Sequence, residues 1–231
     1  VTDLAVLVPS RGRPANVARL IEACEKTCRA DTVLRFGFDA DDPELQANMA
    51  ACTGRKGYGE IQDRLGLAAW TNRLAMTEAG MIFPPSHLAS LGDDMVPVTD
   101  GWDERLIAAC GPCGMAYPND RRRDDIPEAV VMSTAIVTAL GWMCEPSIGH
   151  WYTDNVWADL GRGAGCLAYL PDVVVEHRHP NVPGGDRPDA TYHEAAAGYA
   201  ADLAAYQKWR MTRMRADVAT VREAVAACSP R

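Results

Sequence analysis

His87-Leu-Ala-Ser-Leu-Gly-Asp-Asp-Met-Val-Pro97 is a short apolar run that stops at two adjacent carboxylates, Asp93 and Asp94. The run has strand length, and acids at its end place hard oxygen ligands at the lip of a buried sheet. Open α/β sheets bind their ligands there. Neighbouring carboxylates repel each other unless a cation or a hydrogen-bond donor sits with them. Mg2+ or Mn2+ carrying a diphosphate is one such partner, because these ions combine one or two carboxylates with phosphate oxygens. A solvated turn holding two acids has the same local pattern, so the rest of the chain must decide.

Outward from this stretch, strand and helix signals alternate. Leu4-Ala-Val-Leu-Val-Pro9 reads as a strand buried on both faces. Ser10-Arg-Gly-Arg-Pro14 turns the chain, and Pro14 suits the first position of a helix carrying Val17, Leu20, Ile21, Cys24 and Cys28 at helical spacing. Val33 to Phe38 is a second strand, closed by Asp39-Ala-Asp41-Asp42-Pro43, and a polar, glycine-containing segment follows at 53–59. A helix is predicted over Leu67 to Ala79, another over Trp102 to Ala109, and a strand near Met115. Leu167 to Leu170 and Val173 to Val175 read as two strands, the second running into Glu176-His177-Arg178-His179. Tyr192 to about Ala226 is alanine-rich and helical. The alternation predicts an α/β fold: a central mixed sheet flanked by helices over 1–185, with a C-terminal helical extension, 186–231, packed on it.

The composition narrows the function classes. With 231 residues and 48% hydrophobic content the chain can bury a full core. No apolar run approaches the ~20 residues of a membrane helix, and the opening residues lack a secretory pattern. A net charge of −8 argues against binding nucleic acid mainly through phosphates. Arg121-Arg-Arg123 and Lys208-Trp-Arg-Met-Thr-Arg-Met-Arg215 are local basic exceptions; the second also reads as a solvated helix face or an oligomer contact. The eight cysteines are scattered, which predicts free thiols in a reducing cytoplasm. Cys110-Gly-Pro-Cys113 spells a dithiol motif, but it follows a helical pattern and precedes a strand, the reverse of the redox arrangement. A second C-x-x-C for a four-thiolate zinc site is missing.

Between Gly141 and Gly165 the chain is dense in tryptophan, glycine and polar residues. Trp142, Trp151 and Tyr152 suggest an aromatic wall around a flat ligand such as a sugar ring, although tryptophans at these positions also suit a core.

The order of these pieces resembles the nucleotide-sugar glycosyltransferases of the GT-A fold, most closely family 2 and its compact, phage-type relatives. The residues that carry the resemblance are Val8-Pro-Ser-Arg-Gly-Arg-Pro14, Asp39, Gly66-Leu-Ala-Ala-Trp-Thr-Asn72, Gly92-Asp93-Asp94, Thr153-Asp154-Asn155 and His177. The resemblance implies that Pro9, Ser10, Arg11 and Arg13 line a nucleotide pocket, and that Asp39 accepts a hydrogen bond from the base, usually uracil. Asn72 and Asp93 would also belong to the donor site. Asp94 matches the last acid of the family's Asp-x-Asp metal motif, Asp93 its middle position, and Gly92 stands where the first acid is expected. His177 matches the histidine that completes the shell of Mn2+ or Mg2+; His179, its same-face neighbour, is the alternative. Asp39-Ala-Asp41 is a literal Asp-x-Asp and a second choice for the metal motif. Asp154, with Asn155, matches the base that deprotonates the acceptor in inverting members. Trp151-x-x-Asp154-Asn155 is also similar to a stretch of retaining relatives, so the stereochemistry stays open, and Asp154 could instead cap the following helix.

The resemblance implies metal-dependent transfer of a hexosyl or HexNAc group from a nucleotide-sugar, UDP-sugars being favoured, to an acceptor hydroxyl on a protein, glycan, lipid headgroup, small molecule or modified DNA base. Two other readings share the fold. A sugar-nucleotide nucleotidyltransferase would need a glycine-rich loop followed by a lysine, and here the first lysine is Lys26, inside a helix. A non-catalytic nucleotide-sugar-binding module would keep the pocket without turnover.

Overall fold

The computed structural model describes residues 2–52 and 57–228. Part of the polar segment read at 53–59, residues 53–56, lies outside the described residues. Four parallel strands open the fold: β1 (Leu4–Ser10), β2 (Thr32–Asp39), β3 (Gly57–Gln62) and β4 (His87–Ser90). They are linked by α1 (Pro14–Thr27), α2 (Leu45–Cys52) and α3 (Leu67–Ala79). The second half contributes β5 (Met95–Pro97), α4 (Trp102–Cys110), β6 (Met115–Asn119), β7 (Val130–Ser133), α5 (Thr134–Leu140), α6 (Thr153–Ala164) and β8 (Leu167–His177). Helices α7 (Ala190–Ala197), α8 (Tyr199–Thr212) and α9 (Met214–Cys228) close the chain.

The strands form one mixed sheet in the order β3-β2-β1-β4-β7-β6-β8-β5. Strand β7 is antiparallel to both β4 and β6, while β8 is parallel to β6. The C-terminal ends of β1, β2, β4, β6 and β8 therefore share one edge, together with the start of β7. Strand β1 shows why its run is apolar throughout. Leu4, Val6 and Val8 face a core layer with α1 and α4, whereas Ala5 and Leu7 face the opposite layer with α3, α5, α6 and α9. Burial on both faces is what a central parallel strand requires.

The structure departs from the sequence reading in several places: β3 begins inside the segment read as polar, and β5 carries no strand reading of its own. Leu167–Leu170 and Val173–Val175 belong to a single strand, β8, because the pairing with β6 slips between Pro118 and Asn119 and absorbs Pro171-Asp172-Val173 as an irregularity. The C-terminal alanine-rich stretch is helical as read and consists of three helices, with breaks at Gly198 and Arg213. The breaks let Trp209, Val218 and Val221 reach the same core layer as Trp70 and Trp157, so these helices complete a single domain. The cysteines are not all free: Cys113 is bonded to Cys228, which ties the end of α9 to the turn after α4. The Cys110–Cys113 dithiol does not form, since Cys110 Sγ instead donates to the carbonyl of Val131 at 3.3 Å. Among the described residues no helix is long and apolar enough to cross a membrane.

Candidate functional site

The shared edge of the sheet opens into a cleft of about 540 Å³, a size typical of small-molecule sites. Its floor is built by the ends of β1, β2, β4 and β8, and α7 with the start of α8 forms one wall.

On the β1–β2 side, Asp39 is buried at the end of β2. Its Oδ1 accepts hydrogen bonds from the Leu65 N–H at 2.9 Å and from the Trp70 indole N–H at 2.7 Å. The indole can reach it because β2 carries glycine beneath the ring: a Cβ at Gly37 would lie 2.4 Å from Trp70 Cε3. Arg11 Nη1 lies 3.3 Å from Asp39 Oδ2 and 2.6 Å from Asp41 Oδ1. Asp41 is exposed and outside the cleft. The Asp39-Ala-Asp41 pair therefore encloses a guanidinium, and of these two acids only Asp39 lines the cleft.

The acids after β4 are both buried. Asp93 Oδ2 accepts from Ser10 Oγ at 2.6 Å, and its Oδ1 accepts from Arg13 Nη1 at 3.0 Å. Burial pushes the Asp93 carboxyl up to about 6 against the pull of Arg13, with Asp94 adding to the rise. Asp94 goes the other way. Burial alone would raise it, but the hydrogen bond and charge of His177 hold it well below the usual carboxylate range. His177 Nε2 lies 3.4 Å from Asp94 Oδ2, and Nδ1 lies 2.6 Å from Glu128 Oε2. Burial would lower the His177 pKa, yet these two carboxylates push it up to about 9. Tyr192 from α7 donates its hydroxyl to Asp94 Oδ2.

The donor set fits a divalent cation. Asp94 supplies carboxylate oxygens, and His177 supplies an imidazole nitrogen on the same stretch of cleft wall, a mixed N/O pair that suits Mn2+. Gly92 makes room for this arrangement, since a Cβ there would lie 2.6 Å from Asp94 Oδ1. Glycine at 92 thus leaves space that the Asp94 carboxylate uses.

Asp154 lies in the first turn of α6 and faces the cleft. Its Oδ1 accepts the Asn155 N–H at 2.8 Å. Burial, with a smaller contribution from Glu128, pushes its carboxyl up to about 6. The helix is capped by Tyr152, which has a positive φ of 71°, so Asp154 is not the cap residue itself. Trp151 and Tyr152 line the cleft. The loop bearing them is held by Asp202 of α8, which accepts the N–H groups of Gly149, His150 and Trp151 at 2.8, 2.9 and 2.9 Å.

Pro9, Ser10, Arg11, Arg13, Asp39, Asp93, Asp94, Trp151, Tyr152, Asp154, His177 and His179 thus come together. Four expected residues do not, Asp41 among them. Asn72 spends its amide on the turn at 143–144: Oδ1 accepts from the Met143 and Cys144 N–H groups, and Nδ2 donates to the Cys144 carbonyl at 2.7 Å. Trp142 is 5% exposed and packs in the core with Met143 and Cys144. Asn155 lies one helical step past the cleft and meets Asp154 through its backbone. His179 stands edge-on to both His177 and Tyr192, with ring centroids 5.3 and 5.6 Å away.

Four residues enter the site, or the layer behind it, that the sequence pattern did not single out: Asp120, Glu128, Asp189 and Tyr192. Glu128, Asp189 and Tyr192 meet His177, Arg13 and Asp94 across large gaps in sequence, so no local motif marks them. The basic runs are largely neutralised from within the chain. Arg121, Arg122 and Arg123 pair with Glu176, Glu128 and Asp125, while Arg210 and Arg213 pair with Asp159 and Glu145.

No protein-family model matches the chain, and no curated protein matches it by sequence. Solved structures do match by shape. A mannosyltransferase from Pyrobaculum calidifontis, in complex with GDP-mannose and Mn2+, superposes on 99% of this chain and 76% of its own with a TM-score of 0.67 at 14% identity. Glucosyl-3-phosphoglycerate synthase from Mycobacterium tuberculosis, solved with Mn2+, UDP and glucosyl-3-phosphoglycerate, matches 88% of this chain and 78% of its own with a TM-score of 0.58 at 12% identity. Residues 1–349 of TarS from S. aureus, in complex with UDP, match 75% of this chain and 59% of their own with a TM-score of 0.59 at 10% identity. With its mixed sheet, flanking helices and cleft at the strand ends, the chain has the GT-A fold of the nucleotide-sugar glycosyltransferases.

Proposed function

We propose that the protein is a metal-dependent glycosyltransferase that moves a hexosyl or HexNAc group from a nucleotide-sugar, a UDP-sugar by preference, to an acceptor hydroxyl. The observation that carries this reading is the convergence of Arg13, Asp93, Asp94, His177 and Asp154 on one cleft at the C-terminal edge of the sheet. Two of the three matching proteins described above were solved with UDP and two with Mn2+.

Each group has a task set by its chemistry. Asp39 and Arg11 form the base end of the donor pocket, and Arg13 presents a guanidinium suited to diphosphate oxygens. Asp94 and His177 would hold Mn2+ or Mg2+, which when bound supplies positive charge against the departing nucleoside diphosphate. Asp154 accepts the proton of the acceptor hydroxyl at its carboxylate. The acceptor oxygen then bonds to the anomeric carbon, and the bond from that carbon to the diphosphate oxygen breaks, its electron pair leaving with the nucleotide. A carboxyl near 6 is ionised at neutral pH yet more basic than an ordinary aspartate, as a general base should be. Trp151 and Tyr152 supply apolar surface for sugar or acceptor.

The nucleotidyltransferase reading lacks its lysine. Lys26 is 69% exposed on α1 and pairs with Glu22 away from the cleft.

The test is a thermal-shift screen of nucleotides and nucleotide-sugars with and without Mn2+, followed by donor turnover. A diphosphate nucleotide at ~100 times its Kd should add about 2.7 kcal/mol of stability. Metal-dependent stabilisation by UDP or GDP, lost in Asp94→Asn, supports the reading; no stabilisation by any diphosphate nucleotide overturns it. Binding without turnover of any donor would favour the non-catalytic module.

A further inference from the structure

Glu128 lies just before β7, where nothing in the sequence pattern marks it, and its side chain is 8% exposed. Its Oε1 accepts from Arg122 Nη1 at 2.6 Å, and its Oε2 lies 2.6 Å from His177 Nδ1. The other ring nitrogen of His177 is the one 3.4 Å from Asp94. The backbone is held at the same place, because the His177 N–H donates to the Asp120 carbonyl at 3.1 Å. Asp120 sits behind, with Oδ1 accepting the N–H groups of Arg122 and Arg123 at 2.7 and 2.8 Å. Its Oδ2 is buried without a hydrogen-bond partner.

We propose that Glu128 is a positioning residue for the metal ligand His177: by accepting the Nδ1–H it turns Nε2 toward Asp94 and the cleft and leaves it as the nitrogen that gives up its proton when a cation binds. The inference rests on the reading of this cleft as a metal-dependent donor site. A neutral imidazole has one ring nitrogen to donate and one to coordinate, and the hydrogen bond at one nitrogen decides which is which. A carboxylate in that role also raises the basicity of the coordinating nitrogen. Arg122 fixes the carboxylate from the far side, so ring and partner are both oriented before any metal arrives.

A different arrangement competes for the same atoms. Asp120, Glu128 and His177 bring one ligand atom each within 4.8 Å of one another, which would let a cation sit among them behind the cleft wall. Two observations weigh against it. Glu128 Oε1 is already neutralised by Arg122, and Nδ1 already faces Glu128 at hydrogen-bond distance. Asp120 does not line the cleft.

The experiment measures the Mn2+ dissociation constant of the full chain by electron paramagnetic resonance, with UDP affinity measured alongside. Glu128→Ala should weaken Mn2+ binding ten- to a hundredfold. Glu128→Gln, whose amide oxygen still accepts the Nδ1–H, should recover most of that loss, and Asp120→Asn should change it by less than about threefold. Nitrogen-15 spectra of the histidine rings in the Mg2+-loaded protein should show His177 protonated at Nδ1 in the parent and lose that preference in Glu128→Ala. The proposal is overturned if Glu128→Ala binds Mn2+ as the parent does, or if Asp120→Asn abolishes binding, which would put the cation behind the wall. If the parent binds UDP with Mn2+ in either of those cases, the donor-site reading survives without it; if the parent binds neither, both fall.

Discussion

Arg13 grips Asp189 with two parallel hydrogen bonds, Nε to Oδ2 at 2.7 Å and Nη2 to Oδ1 at 2.8 Å. This fork is the geometry in which a guanidinium also holds a phosphate. The same guanidinium lies 4.6 Å from the Tyr192 ring centroid, and Tyr192 in turn donates to Asp94. The N-terminal end of α7 and its cap thus occupy, with a carboxylate and a phenol, the groups assigned above to diphosphate and metal.

A diphosphate must therefore compete with Asp189 for Arg13. Asp189→Ala should tighten UDP binding by about three- to tenfold, while Arg13→Ala should weaken it by more than tenfold. Asp189 also caps α7 through the Tyr192 N–H at 3.2 Å, so its loss frees the start of α7 at both contacts. Isothermal titration with UDP and Mn2+ checks this, and weaker binding by Asp189→Ala would count against the competition.

The glycine at 92 should be intolerant for a local reason. In Gly92→Ala the new Cβ displaces the Asp94 carboxylate, which otherwise comes within 2.6 Å of that position. Mn2+ affinity should fall at least tenfold, while unfolding stability changes by less than about 1 kcal/mol, the range of a substitution that moves one side-chain end. Denaturant unfolding alongside Mn2+ titration separates the two effects.

Asp154 predicts a pH profile and its sign. Its carboxyl is raised to about 6 in the folded chain, so the base is protonated below that value and ionised above it. The logarithm of kcat/KM should rise with unit slope up to about pH 6 and then level off; a profile flat from pH 5 to 7 would argue for another base. Because the folded state holds this proton more tightly than the unfolded chain does, the group favours folding at acid pH and disfavours it once ionised. Asp154→Asn should accordingly abolish turnover by at least a hundredfold while leaving the midpoint of thermal unfolding at pH 7.5 unchanged or higher.

Asp202 carries the opposite expectation. It is 7% exposed and accepts three backbone N–H groups from the loop bearing Trp151. Asp202→Ala removes three hydrogen bonds to a carboxylate and should cost about 2–4 kcal/mol of stability, with a raised KM for acceptor. An unchanged unfolding midpoint would show that the loop holds without it.

The parts of this molecule with a local cause are readable along the chain. The apolar run at Leu4, the proline opening α1, the bounds of α3 and the acids after β4 follow from burial on two faces, from helical periodicity and from the cost of adjacent carboxylates, all within a few residues. The α/β alternation and the edge on which ligands sit follow from the same signals. The short strand β5, with 3 residues, carries too little pattern to be seen, and it exists because β8 offers it a ladder.

What the tertiary structure alone decided is which side chains meet. Asn72 and Trp142 stand in sequence beside cleft residues, yet the packing of α3 against the 143–144 turn turns them away. Glu128 and His177 are 49 residues apart, Tyr192 and Asp94 98, and Arg13 and Asp189 176. Such contacts leave no periodicity, because they arise from how strands and helices stack rather than from the propensity of any segment. The sequence by itself determined the buried strands β1, β2 and β4, the α/β alternation and the acids at the strand ends; only the stacking of the elements decided what holds those acids.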